Sequence, residues 1–414
     1  MNKMKTLAAG AAITIGVATA AHADCGIAGG NVSVLANDFP ALHAVVGKAE
    51  ECASSTVTFS KNHTTEHRDI QVAAMTANPS EYTTAIVANS SVVPLLNGGL
   101  IRPLDDLVTK HGQDLKKNQL ITIDGKIMAI AFMANAQHLV VRKDILDEVG
   151  LDIPETYEDV LAAAEAIEAA GVMEHPFAML TMSDWNLGEE FVNMYLGHGG
   201  EFFKPGTAEP AVNNEKGIAT LNMLKALVEY SNPDFLTYNT GVVAPIWESG
   251  NLAMAQMWGS SMGQLLDNEG SSAEVVSGTL PVGAMTVAGG TTPASSLWWD
   301  GFTIAANISD EDAEATFLAM LNGISNEMVM EGDNNDRAVW LMDAYKPGIA
   351  AAGIAATAAA GAEPYPMLPY MGLLHGAFFA ELPDFLQGNE SAEQTLADIE
   401  AAYITSAKEK GFLQ

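Results

Sequence analysis

The chain contains 414 residues, 48% of them apolar and 17% charged, which excludes a disordered protein and exceeds what one hydrophobic core usually holds. Its 51 acidic residues against 19 basic ones give a net charge of −32, which disfavours nucleic acid and anionic lipid as partners. We therefore expect a soluble protein of two domains that does not bind nucleic acid.

The first 23 residues carry the pattern of an export signal. Lys3 and Lys5 precede an apolar run, Leu7 to Ala20, and Ala21-His22-Ala23 follows it. A basic start, an apolar stretch too short to span a membrane and a small-residue site predict a signal peptide that is cleaved after Ala23. We expect the mature protein in the periplasm, with a net charge near −34 once both lysines are removed.

The next segment alternates between short apolar runs and helical patterns. The predicted elements are a strand from Asn31 to Ala36, a helix from Ala41 to Ala53, a strand from Thr56 to Ser60, a helix from His67 to Asn78, a strand from Tyr82 to Ala88 and an apolar stretch from Val92 to Leu96. Strands separated by helices of ten or more residues predict an α/β fold whose parallel sheets are covered on both faces.

The two cysteines fall within the first predicted strand and helix unit. Cys25 lies just before the first strand and Cys52 near the end of the helix that follows. Because that helix runs back antiparallel to the strand, its end comes close to the strand's start. Export also places the pair in an oxidising compartment, so we predict a Cys25–Cys52 disulfide, with two free thiols as the alternative.

Three features in the middle of the chain resemble a known family. A strand from Lys126 to Phe132 follows Asp124-Gly125, a V-V-R-K-D-I-L segment covers residues 140–146, and Gly150 to Tyr157 forms a G-x-x-x-P-x-T-Y turn. Together they resemble the middle of an extracellular solute-binding protein of an ABC importer, in the maltose-binding-protein-like family that captures sugars.

The resemblance implies a two-lobed α/β periplasmic binding protein fold, with three crossovers that make a hinge and a ligand cleft between the lobes. Residues 24–134 and 281–326 are expected in lobe one, and residues 135–280 and 327–414 in lobe two. The family likeness also implies a monomer without enzymatic activity or cofactor. It would capture a small sugar, oligosaccharide or polyol and deliver it to a membrane permease.

The later elements continue the α/β pattern. Thr156 and Asp159 form a variant capping box before an amphipathic helix from Glu155 to Ala170. The remaining predictions are helices from Glu189 to Gly197 and from Asn214 to Tyr230, a strand from Leu252 to Met257, a strand from Gly301 to Ala306 and a helix from Asp310 to Ile324.

Several tryptophans fall at predicted loops and strand ends. Trp185 and Asn186 lie in a polar loop, Trp258 ends a strand, and Trp298-Trp299-Asp300 precede the strand at Gly301. An indole face packs against the C–H face of a sugar ring or against a cation, while Asp and Asn bind hydroxyl groups. We expect Trp185, Trp258 and at least one of Trp298 and Trp299 to line the cleft, with core packing as the alternative.

Polar residues also follow the first three strands, where ligands bind in open α/β sheets. These candidates are Asn37 and Asp38 after the first strand, His63 after the second, and Asn89 and Ser90 after the third. Helix capping is the alternative explanation for several of them. Tyr370 is a further candidate, because the C-terminal region of the family often reaches the cleft.

Two short motifs would suit an enzyme instead. Residues 63–67 match H-x-x-E-H, which in a zinc peptidase requires His63 and His67 on one face of a helix. Residues 259–263 match G-x-S-x-G, with Ser261 as nucleophile and His375 as the histidine that follows it. An exported hydrolase is therefore the alternative of another class, and a tryptophan cage for a betaine or sulfonium osmolyte is the alternative ligand site.

Overall fold

The computed structural model describes residues 25–414, so the predicted signal peptide and its cleavage site lie outside the described residues. Within that range no helix has the length and apolar character needed to cross a membrane. The strands are β1 Gly30–Ala36, β2 Val57–His63, β3 Thr84–Ala88, β4 Leu120–Ile123, β5 Lys126–Arg142, β6 Phe177–Ala178, β7 Met254–Trp258, β8 Thr279–Pro281, β9 Ser296–Phe302, β10 Val339–Trp340 and β11 Glu363–Pro364.

Helices cover both faces of these strands, as the alternating pattern predicts. They are α1 Pro40–Glu50, α2 His67–Thr76, α3 Asn89–Asn97, α4 Asp105–His111, α5 Lys143–Glu148, α6 Tyr157–Ala169, α7 Trp185–Gly197, α8 Glu215–Val228, α9 Thr240–Glu248, α10 Met262–Leu265, α11 Ala273–Gly278, α12 Asp310–Gly323, α13 Asn326–Met330, α14 Ala352–Ala359, α15 Met371–Leu386 and α16 Ala392–Glu409. The predicted capping box is confirmed, because Thr156 Oγ1 accepts a hydrogen bond from Asp159 N and Asp159 Oδ2 accepts one from Thr156 N.

The strands are joined in the order β2-β1-β3-β9-β5-β7-β6. Strand β1 pairs in parallel with β2 and β3, but β9 runs antiparallel to both β3 and β5. The expectation of parallel sheets is therefore wrong for β9 and for every pairing of β5, which runs antiparallel to β4, β7, β8, β9 and β10. Strand β9 returns from the far half of the molecule, so it runs opposite to β5.

Strand β5 joins the two halves of the molecule. Its first part pairs with β9 between Ile130 and Ala136, and its last part pairs with β7 between Gln137 and Val141. The strand reads as a near-continuous apolar run, as expected for a strand that is buried on both faces. The strand predicted to end at Phe132 therefore continues for ten further residues, because both sheet halves use it.

Buried side chains form separate clusters on the two sides of this junction. One side is built on β1, α1 and α12, with Val34, Val45 and Phe317 at its centre. The other side is built on α7, α15 and α16, with Phe191, Phe378 and Tyr403 at its centre. Residues 328–342, which were expected in lobe two, contribute several side chains to the first side: Met328, Val329, Ala338, Trp340 and Met342.

Two other boundaries differ from the sequence prediction. Strand β2 extends to His63 because all seven of its residues pair with β1, so His63 lies at a strand end rather than in a loop. Strand β9 covers Ser296–Phe302 instead of starting at Gly301. The tryptophans of β9 therefore lie inside the strand, where consecutive side chains point to opposite faces.

The predicted disulfide is confirmed. The sulfurs of Cys25 and Cys52 are bonded, and their Cα atoms lie 5.6 Å apart at a sequence separation of 27. The bond ties the segment that precedes β1 to the turn that follows α1, as the antiparallel return of the helix requires.

Removal of this bond should lower stability. We expect the paired Cys25→Ser and Cys52→Ser substitutions to lower the free energy of unfolding by about 3 to 4 kcal/mol, because the unfolded chain regains the entropy of a loop of this size. Urea denaturation of the oxidised parent, the reduced parent and the double variant measures the effect. Equal midpoints for all three would contradict the prediction.

Candidate functional site

Three of the tryptophans predicted for the cleft are brought together by β5 and its neighbours. Strand β7 ends in Trp258, which pairs with Gln137 of β5, and Trp298 of β9 pairs with Asn135. Trp185 is the first residue of α7, where Asp184 caps the helix by accepting a hydrogen bond from Asn186 N. The three tryptophans thus meet at the junction of the two halves, although one ends a strand, one begins a helix and one lies inside a strand.

These residues form an aromatic cluster, which we call the tryptophan cluster and define as Trp185, Trp258, Trp298, Tyr365 and His375. The rings of Trp185 and Trp258 are nearly parallel with centroids 6.4 Å apart, and the Trp298 ring meets them edge-on at 5.3 and 5.8 Å. The Tyr365 ring lies 4.5 Å from that of Trp298.

His375 is a positioning residue in this cluster. Its ring stacks on Trp185 at 4.7 Å, Nδ1 lies 3.0 Å from the Tyr365 hydroxyl, and Nε2 lies 2.8 Å from the Trp185 carbonyl oxygen. Burial lowers the pKa of His375 to about 3, so its ring is neutral at physiological pH. The histidine therefore holds Trp185 in place from one face and along the backbone.

Arg68 covers the other face of Trp185. It lies in α2, on the opposite side of the junction, and its guanidinium carbon is 4.0 Å from the centre of the indole ring. A guanidinium at this distance is attracted by the π-electrons of the ring. Sequence analysis did not identify Arg68, because nothing in the local pattern of α2 indicates a partner more than 100 residues away.

Two acids lie in the same region. Asp300 follows Trp298 on the same face of β9, and burial raises the pKa of its carboxyl to about 7 although Arg68 opposes the shift. Burial also raises the pKa of Glu189 to about 8. Glu189 of α7 is completely buried, and its Oε1 accepts hydrogen bonds from Ser296 Oγ at 2.7 Å and Trp298 Nε1 at 3.1 Å.

Arg68 therefore lies among aromatic rings and acidic side chains. Its electrostatic partners are Tyr365, Asp300, Glu189 and Asp184. This combination suits a neutral, hydroxyl-bearing molecule, since hydroxyl groups need both donors and acceptors while aromatic faces pack against C–H groups.

Asn37, Asp38 and His63 form a second, separate group at the ends of β1 and β2. His63 Nδ1 lies 3.0 Å from the Asn37 carbonyl oxygen, and the His63 ring stacks on that of His43 at 4.0 Å. His43 Nε2 in turn lies 2.6 Å from Asp38 Oδ1. Within the described residues, no ring contact or hydrogen bond of this group reaches the tryptophan cluster.

Trp299 lies on the face of β9 opposite Trp298, and Asn89 lies beside the edge of the strand. Asn89 at the start of α3 accepts a hydrogen bond from Trp299 N and donates one to Leu297 O, so it fixes the β9 backbone. The neighbouring Ser90 Oγ is buried without a partner. Beside Trp299 is an open pocket of about 360 Å³, lined by Asn89, Leu120, Ile121, Thr122, Leu297, Trp298, Trp299, Pro364 and Met367.

Two further candidates are held by local contacts. Asn186 Nδ2 donates to Asp184 Oδ1 at 2.8 Å, which orders the turn that carries Trp185. The Tyr370 hydroxyl donates to Thr207 O, and its ring packs against Phe203 and Phe412. A ligand contact by either residue stays a prediction.

The geometry does not assemble either enzyme motif. His63 ends a strand while His67 begins α2 with a buried ring, so the two histidines do not share one helix face. Both ring nitrogens of His375 are engaged by Tyr365 and Trp185, and Ser261 is not among their partners. Neither a zinc-peptidase pair nor a serine–histidine dyad is therefore formed.

A family model described as "Bacterial extracellular solute-binding protein" matches residues 35–326. A curated relative, a "Probable ABC transporter-binding protein" of Deinococcus radiodurans, is 25% identical over 223 residues, which are 49% of this chain and 51% of the relative. The chain thus spans about half the length of the curated relative it matches.

Solved structures share the whole fold at low sequence identity. A maltose-bound protein of T. maritima is 16% identical with a TM-score of 0.77, covering 91% of this chain and 99% of that one. Solute-binding proteins of Agrobacterium radiobacter with ribitol and of Agrobacterium vitis with D-mannitol are 19% and 15% identical. Both have TM-scores of 0.77 and cover 92% of this chain and 99% of theirs. At these identities the likeness establishes the fold, a two-lobed α/β binding protein.

Proposed function

The chain belongs to the bacterial extracellular solute-binding protein family, and we propose that it captures a small sugar, oligosaccharide or polyol for an ABC transporter. The solute would bind between the two halves of the molecule and be delivered to a membrane permease. We further propose that the protein acts as a periplasmic monomer after cleavage behind Ala23, and that it is not an enzyme.

We propose two lobes whose boundary follows the packing clusters. Residues 24–134 and 281–326 form lobe one, as expected from the family likeness, but residues 327–345 are better assigned to lobe one as well. Support comes from Met328, Trp340 and Met342, which pack with the β1 and α12 cluster. The chain would then pass from lobe one to lobe two for the last time between residue 345 and α14.

The observation that carries the proposal is the contact between Arg68 and Trp185. Arg68 extends from the β1 side of the junction and Trp185 from the α7 side, so the residues around them contribute surface from both proposed lobes. A ligand that contacts both lobes stabilises the closed arrangement by the difference in its affinity for the two states. The cleft would therefore close around whatever these residues bind.

The chemistry of this space favours a neutral, hydroxylated solute. The relatives whose structures share the fold hold maltose, ribitol and D-mannitol, all of which are rich in hydroxyl groups. A methylated cation beside the Arg68 guanidinium would be repelled by its positive charge, whereas a neutral solute would not. The sugar or polyol is therefore preferred over a betaine or sulfonium compound.

Thermal unfolding in the presence of candidate solutes tests the proposal. Sugars, polyols, betaines and sulfonium compounds are added to the mature protein, with zinc and chelator as controls. A solute at 100 times its Kd should raise the free energy of unfolding by about 2.7 kcal/mol through mass action. A sugar or polyol response supports the proposal. A response to betaines alone, or a midpoint that only chelator lowers, would contradict it.

A further inference from the structure

The two faces of the Trp185 ring are covered by side chains that differ in how they are attached. His375 stacks on one face at 4.7 Å, and both of its ring nitrogens have hydrogen-bond partners, the Tyr365 hydroxyl and the Trp185 carbonyl oxygen. Arg68 covers the other face, with its guanidinium carbon 4.0 Å from the ring centre. The histidine is therefore fixed on the ring by bonds that the arginine lacks.

Few contacts hold the Arg68 side chain in this position. In the part of the chain that the structure describes, the side chain forms no hydrogen bond and no ion pair within 4.0 Å. Its Nε is buried without an acceptor, which costs free energy for a charged group. Asp184, Glu189 and Asp300 act on it only through longer-range electrostatic attraction. Rotation toward water would give its N–H groups the acceptors that they lack here.

The side chain can turn while its helix stays in place. Arg68 is the second residue of α2, and this helix is anchored by Gln71, whose Nε2 donates to Ser91 O at 2.9 Å. The neighbouring residues Glu66 and Asp69 are exposed, so the start of the helix borders water. Arginine also has a long side chain with many rotamers. Rotation of its own bonds is therefore sufficient to uncover the Trp185 ring.

We propose that Arg68 is a gate residue, whose guanidinium occupies the face of Trp185 until a solute stacks on that ring and then turns out toward water. The inference rests on the proposed function and deepens it, because it makes Arg68 a competitor of the solute rather than one of its ligands. The affinity for a solute is then set by the difference between two contacts with the same ring.

The strength of the contact between guanidinium and ring sets the expected effect. Such contacts change an equilibrium by a factor of about 2 to 30, depending on how far the pair is removed from water. Trp185 is partly buried, which places the pair within this range. Loss of the guanidinium should therefore raise the affinity for the solute, whereas loss of a solute ligand would lower it. The sign of the change distinguishes the two roles.

Calorimetric titration of variants measures this sign. The probes are maltose, ribitol, D-mannitol and D-tagatose. A probe that binds the parent protein should bind Arg68→Ala about 2- to 30-fold more tightly. In a Trp185→Leu background, Arg68→Ala should change the affinity by less than about twofold, because no ring face is left to uncover.

A nuclear magnetic resonance signal of Arg68 itself reports the movement. Because the guanidinium lies 4.0 Å from the indole centre, the ring current of Trp185 should shift the Nε–H resonance of Arg68 in the parent protein. The resonance is assigned by its absence from Arg68→Lys. Saturation with a probe should move it to the position of an arginine in water.

A second pair of cation and ring supplies the matched control. Lys225 Nζ lies 4.9 Å from the centre of the Phe385 ring, and neither residue belongs to the tryptophan cluster. Lys225→Ala removes the same kind of contact and one positive charge from the protein. It should therefore keep the affinity of the parent.

The outcomes separate the gate from the proposed function. If no probe binds the parent protein, the proposed function fails and the gate fails with it. If a probe binds but its affinity falls in Arg68→Ala, or if the Arg68 resonance stays shifted at saturation, the gate is refuted and the proposed function stands. An equal gain from Arg68→Ala with and without the Trp185 ring would also refute the gate.

Discussion

Trp298→Ala is expected to lower the free energy of unfolding by about 3 to 5 kcal/mol, the usual cost of truncating a buried aromatic residue, and to abolish solute binding. The side chain is 5% exposed and contacts Trp185, Trp258 and Tyr365. Its loss leaves a cavity at the centre of the tryptophan cluster.

The indole nitrogen adds a second effect. Trp298 Nε1 donates to Glu189 Oε1 and also lies 2.8 Å from Ser296 Oγ. Without it, a completely buried carboxyl loses one of its two donors and is held by Ser296 Oγ alone. Trp298→Phe should therefore restore most of the packing but only part of the binding.

A tryptophan away from the cluster supplies the control. Trp247 is completely buried against α9 and β7 neighbours, and its Nε1 donates to Thr279 Oγ1 at 3.0 Å. Trp247→Ala should lower stability by a similar amount while the folded fraction keeps its affinity. Urea denaturation and calorimetric titration at a temperature where each variant is folded measure both quantities. Equal affinities in the two alanine variants would argue against a role for Trp298 in binding.

The stability of the protein should fall as pH rises from 6.5 to 8, because α7 buries two adjacent carboxyls. Burial raises the pKa of Glu189 and of Glu190 to about 8 from an ordinary value of 4.5. Between these values the folded protein holds protons that the unfolded chain has released. Each carboxyl therefore lowers the free energy of unfolding by up to about 1.4 kcal/mol per pH unit across this window.

Buried histidines lower the stability of the protein as the pH falls below 6.5. Burial lowers the pKa of His67 and His138 to about 4 and that of His375 to about 3, from an ordinary value of 6.5. Their contribution to the free energy of unfolding is complete above pH 6.5. It is lost as the pH falls toward 4, because the unfolded chain then binds protons that the folded protein does not. Stability should therefore peak near pH 6, where the opposing slopes from the carboxyls and the histidines cancel.

Glu190→Gln isolates the carboxyl effect. The amide does not ionise. As pH rises from 6.5 to 8, the free energy of unfolding of the variant should therefore increase by about 2 kcal/mol relative to that of the parent. Urea denaturation at several pH values measures the difference, and Glu165→Gln, at an exposed position of α6, is the control. Parallel profiles for parent and Glu190→Gln would contradict a buried, titrating Glu190.

Much of the fold could be predicted from local patterns. The alternation of strands and helices through β3, the capping box at Thr156 and the Cys25–Cys52 bond depend on residues near one another in the chain. Helix α12 begins at the predicted Asp310 and ends one residue earlier than predicted, because its apolar pattern has the period of a helix. The family likeness in the middle of the chain then led to the two-lobed arrangement.

Strand β9 shows where local patterns were insufficient. Nothing near Ser296 indicates that the strand pairs antiparallel with β3 and β5, or that alternation places Trp298 in the tryptophan cluster and Trp299 in another cluster. Similarly, nothing in the local pattern at the ends of β1 and β2 indicated that Asp38 and His63 both contact His43. Ligand contact by these residues stays a prediction.

The sequence by itself determined the class of the fold, the cysteine pair and the tryptophans that meet at the junction, because hydrophobic period, capping and cysteine position are properties of neighbouring residues. Only the tertiary structure placed Arg68 over Trp185 and left Arg68 Nε and Glu189 Oε2 without partners. Burial and the pairing of charges depend on which distant segments come together, and two side chains more than 100 residues apart share no local pattern.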